Sequence, residues 1–482
     1  MGETLLAPKK ERLLSLDVFR GVTIAMMVLV NNPGTWSYLY HPVEHAPWDG
    51  FTPTDFIFPF FLFIVGVAMT FSFDRRLREG ASKARLLEQV VRRTVILFLL
   101  GLILQGFPNF RLIGPYILVI VGLGLLFAHE PPFGFSQSSK AATFKALGLG
   151  VLAVAAGWWI LDFGHFNGTV VGYDPHKFLW PMTNDAGGRV LRVPGVLQRI
   201  ALCYFFASLI MMATRTTAGR VAWVAVLLGA YWVICQHDFV ARWAGHELGA
   251  LGGRRDAPMG VPFPGLLHDW IDTKLLGAHL YGARPDPEGL LSTIPAIGTT
   301  LCGILCGTWL HRSDLTKEQK CLGLFYSAGW LIAAGLFWGY AFPINKKIWT
   351  SSYVLAMAGF AQVFLGMCMY LLDIRGKKAW ATPFVVFGTN AIYVFFASGI
   401  LARCMYMITW AKESGEGSWN VKSWIWENAF QNPVLAGFDH IGFTFSDAAQ
   451  MKFASLLYAV CYIVVWLGLT YPLYRKKIFL KI

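Results

Sequence analysis

Between Asn31 and Gly66 one apolar stretch ends, a short polar loop follows, and a second apolar stretch begins. The loop reads His41-Pro-Val-Glu44-His45-Ala-Pro-Trp48-Asp49-Gly50, and the next stretch opens on Thr54-Asp55-Phe56. His45 is confined by prolines and a tryptophan, and Asn31 and Asp55 flank it where a polar group is costly unless it has a role. Histidine gains and loses a proton near neutral pH. The combination points to chemistry at a membrane boundary.

Other polar residues recur at the edges of apolar stretches. Asp17 and Arg20 are three apart, so they share a helix face. Asn31 follows on the same face, roughly 16 Å further along the axis. Arg20 and Asn31 could meet the two ends of an extended cofactor arm. Equally, Asp17 and Arg20 could pair to close a bundle, with Asn31 ending the helix before Pro33-Gly34. Further on come Arg192-Val-Pro-Gly-Val-Leu-Gln198-Arg199, Asp286-Pro-Glu288-Gly289, Pro343-Ile-Asn345-Lys346-Lys347 with Trp349, and Gly388-Thr-Asn390. Any one could be a cap or an interhelical hydrogen bond. Several clustered at span ends suggest a polar site, mostly on one side of the membrane; the depth of Gln198, Arg199 and Asn390 is open.

The elements that must position these residues are membrane helices. The chain of 482 residues is 55% hydrophobic and only 14% charged, with mean hydropathy +0.50. That composition excludes an ordinary soluble domain. Apolar runs long enough to cross a bilayer fall at 13–33, 54–73, 94–109, 113–128, 142–163, 194–214, 219–236, 291–310, 321–341, 351–373, 383–409 and 452–474. The expectation is an all-α, polytopic integral membrane bundle of about twelve helices, within a range of ten to twelve. It forms a single domain over 1–482, with an inserted span pair plus outer loop at 110–190 and a long outer-face loop at 238–290.

Basic residues fall at alternate span ends: Lys9, Lys10 and Arg12; Arg75 to Arg93; Arg375, Lys377 and Lys378; Arg475 to Lys481. The positive-inside rule puts these ends and both termini in the cytoplasm, and His45 on the opposite side. The net charge of +13 is explained by topology and calls for no nucleic acid. Outer loops carry most histidines and many tryptophans, which suit an aromatic belt and also a sugar-stacking vestibule. The eight cysteines sit mostly within spans and read as packing residues, not as a disulfide framework or metal site. The basic N-terminus runs into a full-length span without a cleavage site, so that span is expected to be retained.

These residues carry a resemblance. Leu16-Asp17-Val-Phe-Arg20-Gly21, His45-Ala-Pro-Trp48-Asp-Gly50, Asp55-Phe-Ile-Phe-Pro59 through Gly66, Arg192 to Arg199, Asp286 to Gly289, Asn345-Lys346 and the tail from Tyr474 resemble, in order, the membrane-bound heparan-α-glucosaminide N-acetyltransferase family. The opening motif is also similar to a wider membrane acyltransferase superfamily. At the position where those proteins carry their active histidine, this chain has Asn31.

The resemblance implies acetyl transfer from cytoplasmic acetyl-CoA, as co-substrate, to the amine of an outward-facing amino sugar of the glucosamine type. The amine must be unprotonated to attack, and histidine suits the role of base. His45 is the implied base, oriented by Asp55 or Glu44, with Asn31 as a hydrogen-bonding partner or oxyanion donor. A route in which His45 itself takes the acetyl group stays open. Arg20, Gln198 and Arg199 are expected on the acetyl-CoA passage. Trp48, Asp286, Glu288, Asn345, Lys346 and Asn390 are expected on the sugar side. His41 reads as a surface residue. The implied location is a bacterial inner membrane, with His45 periplasmic; a homodimer is one assembly open to such a bundle. The competing reading is a secondary transporter for N-acetylglucosamine or related amino sugars, which would show two related halves with interrupted helices in matching positions. The sequence shows no convincing internal repeat.

Overall fold

The computed structural model describes residues 13–127, 141–169, 191–235, 267–276, 279–281, 285–412, 417–441 and 446–479. Much of the expected outer loops 164–193 and 238–290, with His176 and His246, lies outside the described residues. The described chain is almost wholly helical, with a single two-stranded ladder, β1 (Thr409–Ala411) against β2 (Ser418–Asn420).

The helices are α1 (Leu14–Asn31), α2 (Ile57–Arg78), α3 (Lys83–Gly106), α4 (Phe110–Leu126), α5 (Ala141–Thr169), α6 (Val196–Ala213), α7 (Thr217–Ile234) and α8 (Leu267–Leu276). They continue with α9 (Thr293–Leu310), α10 (Lys317–Trp338), α11 (Ser351–Met369), α12 (Thr382–Thr389), α13 (Ala391–Met407), α14 (Val421–Ile425), α15 (Asn432–Ile441) and α16 (Asp447–Arg475). Every apolar run read from the sequence coincides with one of these helices or, at 383–409, with the pair α12–α13. Among the described residues, eight helical segments are long and apolar enough to cross a membrane, nine if that bent pair counts as one span. Among the described residues, the apolar parts of α4 and α5 are Ile113–Leu126 and Thr143–Trp158.

Lateral position follows from which helices expose apolar surface. α9 is 78% buried over its apolar window, whereas α7 is 17% and α10 22%. On α10, Tyr326, Trp330 and Phe337 are exposed. Large apolar side chains facing outward on a hydrophobic helix are a lipid-facing surface, and the protein is an integral membrane protein.

The centre is assembled through close helix contacts. α2 packs on α9, α10 on α11, α3 on α6, and α1 on α12. Glycine makes the α2–α9 contact possible: a Cβ on Gly66 would stand 2.0 Å from Thr300 O, and one on Gly303 would stand 2.1 Å from Phe63 O. Small residues of this kind let membrane helices approach backbone to backbone. Gly303→Ala is expected to lower thermal stability in detergent, with a cost of about 1–3 kcal/mol for overpacking; an unchanged melting curve would contradict the contact.

Two devices bring the His45 loop against this centre. Residues Pro53–Phe56 form a 3₁₀ turn opened by a capping box, in which Thr52 and Asp55 exchange side-chain-to-backbone bonds with proline at the first position. Phe56 then stacks between Phe60, at 5.7 Å, and Phe360 of α11, at 5.0 Å. Phe51 touches Phe360 as well, at 5.7 Å. The rings fix where α2 begins and therefore where the loop before it lies.

Candidate active site

His45 is half-exposed, whereas the Asp55 side chain is only 1% exposed. The imidazole Nδ1–H donates to Asp55 Oδ1 at 2.6 Å. The other carboxylate oxygen accepts from the backbone N–H of Thr52 at 2.9 Å and of Ala46 at 3.1 Å. Three donors therefore meet a buried carboxylate, the condition under which a charge is held inside a protein. Asp55 is fixed at both ends, because Tyr353 Oη donates to its backbone carbonyl at 2.6 Å. The consequence for His45 is a defined tautomer, with Nδ1 protonated and the Nε2 lone pair left for an incoming proton. Glu44 does not share in this: its carbonyl accepts from Thr52 Oγ1, and the orienting carboxylate is that of Asp55.

The second wall comes from the segment between α10 and α11. Asn345 Nδ2 donates to Asp49 Oδ1 at 3.3 Å, and Gly50 N–H donates to Ile344 O at 2.7 Å. Asn345 Oδ1 in turn accepts from the N–H groups of Lys347 and Ile348, at 2.9 and 3.2 Å. Asn345, expected on the sugar side, thus splints two loops. Lys347 Nζ lies over the Trp48 ring, 5.7 Å from its centroid. Trp349, fully buried, has a φ of 54°, a left-handed conformation that costs a bulky residue on the order of 1–3 kcal/mol. It is locked there by a hydrogen bond from its Nε1 to Thr299 Oγ1 at 3.1 Å, and by Phe58 edge-on at 5.1 Å.

Beneath Trp349 lies Arg199, with its guanidinium 5.2 Å from the ring. Its Nη1 donates to Pro287 O at 2.9 Å; its Nη2 donates to Gly289 O at 2.8 Å and to Ser292 Oγ. Arg192 pairs with Asp286 at 2.5 Å and with Glu288 at 2.6 Å. Asp286 also accepts from the N–H groups of Tyr281 and Glu288. Burial alone would push the Arg192 guanidinium down; the hydrogen bond and charge of Asp286, with Glu288, more than offset this and raise it. Asp286 and Glu288 are therefore engaged by Arg192, and Arg199 holds the loop that carries them.

Expected together on one passage, Arg20, Gln198 and Arg199 lie apart. Arg20 sits 3.6 Å from Asp17 and 3.4 Å from Gly388 O, near the start of α1, whereas His45 follows its far end, about 16 Å of helix away. Gln198 is buried against Gly101 of α3. Asn390 belongs with Arg20: it occupies the break between α12 and α13, which are bent by 82°, and donates to Ile478 O at 3.2 Å. That puts it at the opposite end of the bundle from His45 and the expected sugar side. Asn31 is exposed in the last turn of α1, and no hydrogen bond joins it to His45; the buried side chain there is Asn32, donating to Val28 O at 2.9 Å. Lys346 is partly exposed beside Lys347.

The sequence reading missed a buried polar group behind this wall. Tyr231 Oη donates to Ile348 O and accepts from His268 Nε2. Burial pushes the His268 imidazole down to about 3, aided by Arg199, so it is neutral. Asp272 accepts from Leu290 N–H at 2.9 Å, and burial pushes its carboxyl up to about 6. The i,i+4 spacing of His268 and Asp272 on α8 was the available signal; the partners of Tyr353 and Tyr231 left none.

A family model described as heparan-alpha-glucosaminide N-acetyltransferase, catalytic, matches residues 12–110, the stretch holding α1, the His45 loop, α2 and α3. The heparan-alpha-glucosaminide N-acetyltransferase of Mus musculus is 26% identical over 98% of this chain. That of Homo sapiens is 24% identical, again over 98% of the chain. The chain spans 60% of the length of each. The likeness thus extends over nearly the whole chain, which is similar to the heparan-α-glucosaminide N-acetyltransferases.

Proposed function

We propose that the protein is a membrane acetyltransferase that moves the acetyl group of acetyl-CoA onto the amine of a glucosamine-type sugar. The observation that carries the reading is the His45–Asp55 pair, a half-exposed imidazole held in one tautomer by a buried carboxylate at 2.6 Å. A base of this kind takes the proton that the amine must shed when its nitrogen bonds to the thioester carbonyl. The tetrahedral adduct then expels CoA as its thiolate, which takes up a proton, and the amide remains. Asp55 orients the imidazole and stabilises its protonated form.

The two-ended arrangement of polar groups supports a cytoplasmic acetyl-CoA. Arg20 lies at the end of α1 that the basic clusters mark as inner, and His45 lies beyond the other end. The CoA phosphates would lie toward the Arg20 end, with the thioester reaching into the bundle toward His45 and the sugar arriving from the periplasmic side at Trp48 and Lys346. In this topology both termini are cytoplasmic and the membrane is a bacterial inner membrane. The names of the relatives support a glucosaminide acceptor.

The 82° break at Asn390 is the one observation that favours transport, because interrupted helices bind substrates in transporters. Among the described residues it is the single such pair, whereas an inverted repeat would supply two. The test is transfer of labelled acetyl from acetyl-CoA to glucosamine by purified protein. N-acetylated product supports the transferase. Failure to acetylate any of a panel of amino sugars, with saturable uptake of N-acetylglucosamine into proteoliposomes, would replace it with the transporter.

A further inference from the structure

The positive-inside rule accounts for basic residues at the inner ends of α2 and α3, but not for burying them. Arg75 and Arg76 follow the apolar run of α2, and Arg92 and Arg93 immediately precede that of α3. Arg75, like Lys83 and Arg85, is exposed; Arg76 and Arg93 are half-buried, and Arg92 is buried. The Arg93 guanidinium lies over the Tyr204 ring of α6, 4.8 Å from its centroid. That of Arg92 lies 4.3 Å from the centroid of Phe127, just past α4. Arg76 is within electrostatic range of Arg75, Arg92, Arg93 and Tyr204. The packing of α2 and α3 on α6 thus gathers the cations where the apolar runs end.

The carboxylates nearby do not balance them. Glu79 faces Arg75 at 3.8 Å and Glu88 faces Arg92 at 3.7 Å, both loosely, and both acids are well exposed. Asp74 is engaged by His311 at 3.2 Å. Among the described residues the guanidinium groups of Arg76 and Arg93 make no hydrogen bond and no ion pair, and Arg93 Nε is shut off from solvent without an acceptor. A buried donor of this kind calls for an acceptor. A guanidinium keeps its charge at a membrane boundary and offers paired donors that match phosphate oxygens. At this depth the acceptor that a bilayer presents is the phosphate of its own headgroups.

We propose that Arg76, Arg92 and Arg93, with Tyr204 as platform, form a binding site for the headgroup phosphate of an anionic phospholipid in the leaflet at this end of the bundle. Val91 and Val95 of α3 and Phe206 of α6 are exposed close by in sequence and give the acyl chains a surface. The site shares no residue with the Arg20 end of α1, to which the CoA phosphates are assigned above, and it does not depend on the transferase reading. By joining α2, α3 and α6, the bound lipid stabilises the folded bundle.

The test is thermal unfolding of the full-length protein in detergent, titrated with phosphatidylglycerol or with phosphatidylcholine, alongside native mass spectrometry of the same samples. Wild type is expected to carry phosphatidylglycerol through delipidation and to unfold at a higher temperature as that lipid is added, with no comparable shift from phosphatidylcholine. In Arg76→Gln and in Arg93→Gln the apparent affinity for phosphatidylglycerol should fall about tenfold, the loss of a charge-assisted hydrogen bond. Arg475→Gln removes an exposed charge from the same end of the bundle and should leave that affinity unchanged. Arg93→Lys guards against a folding defect: it keeps the charge without the paired donors, and should bind between wild type and Arg93→Gln. Equal shifts from the two lipids, or an equal loss in Arg475→Gln, would show attraction to overall charge and overturn the site. Coenzyme A and inorganic phosphate are the other sources of phosphate. If either displaces the lipid, or produces an Arg93-dependent shift of its own, the cluster binds a soluble phosphate and the lipid assignment is overturned.

Discussion

His45→Ala should lower acetyl transfer to glucosamine by about 10²–10⁴-fold, the contribution of a positioned general base. The imidazole is half-exposed and makes one protein hydrogen bond, to Asp55. Its removal should therefore leave the fold intact, and thermal unfolding of the variant provides the check. Asp55→Asn should reduce turnover strongly as well, because an amide can donate to Nδ1 and reverse the tautomer that leaves Nε2 free. The two losses should not add in the double variant, since both remove one catalytic unit. Initial rates at saturating acetyl-CoA measure each. A His45→Ala protein retaining more than a tenth of wild-type turnover would remove His45 from the reaction.

The second large effect concerns stability. Arg192→Ala leaves the carboxylates of Asp286 and Glu288 without their cation, and their side chains are 0% and 8% exposed. Breaking a buried ion pair from one side costs about 3–5 kcal/mol, more than the pair itself contributes. Part of that should return when both acids are neutralised, as in Arg192→Met with Asp286→Asn and Glu288→Gln. Fluorescence-monitored thermal unfolding of the purified variants reads the difference. An Arg192→Ala protein as stable as wild type would show that the carboxylates do not depend on Arg192.

Much of this molecule was legible in its sequence, and the divide has a physical cause. Membrane helices announce themselves because twenty apolar residues have few other uses, so each run from 13–33 to 452–474 corresponds to a helix. The proximity of His45 and Asp55 was legible because a loop and a capping box bring together residues ten apart. What the sequence hid was commitment. Asp286, Glu288 and Arg199 were read as ligand groups by type, yet their partners lie some ninety residues away along the chain. Asn390 was placed with the sugar because its depth depends on how α12 breaks and where the tail around Ile478 returns. Asn31 and Asn32 are adjacent and chemically identical; only helix phase decides which one is buried.

The His45 loop is local in sequence, but its frame is not. Tyr353 reaches Asp55 across 298 residues of chain, and Asn345 reaches Asp49 across 296. During synthesis the loop and α2 emerge long before α11 exists, so until then the histidine has its carboxylate but no wall. Competence is therefore a late event in biogenesis. On the transferase reading, a polypeptide interrupted before residue 345 would carry the His45–Asp55 pair without the partners that hold its loop, and would be inactive.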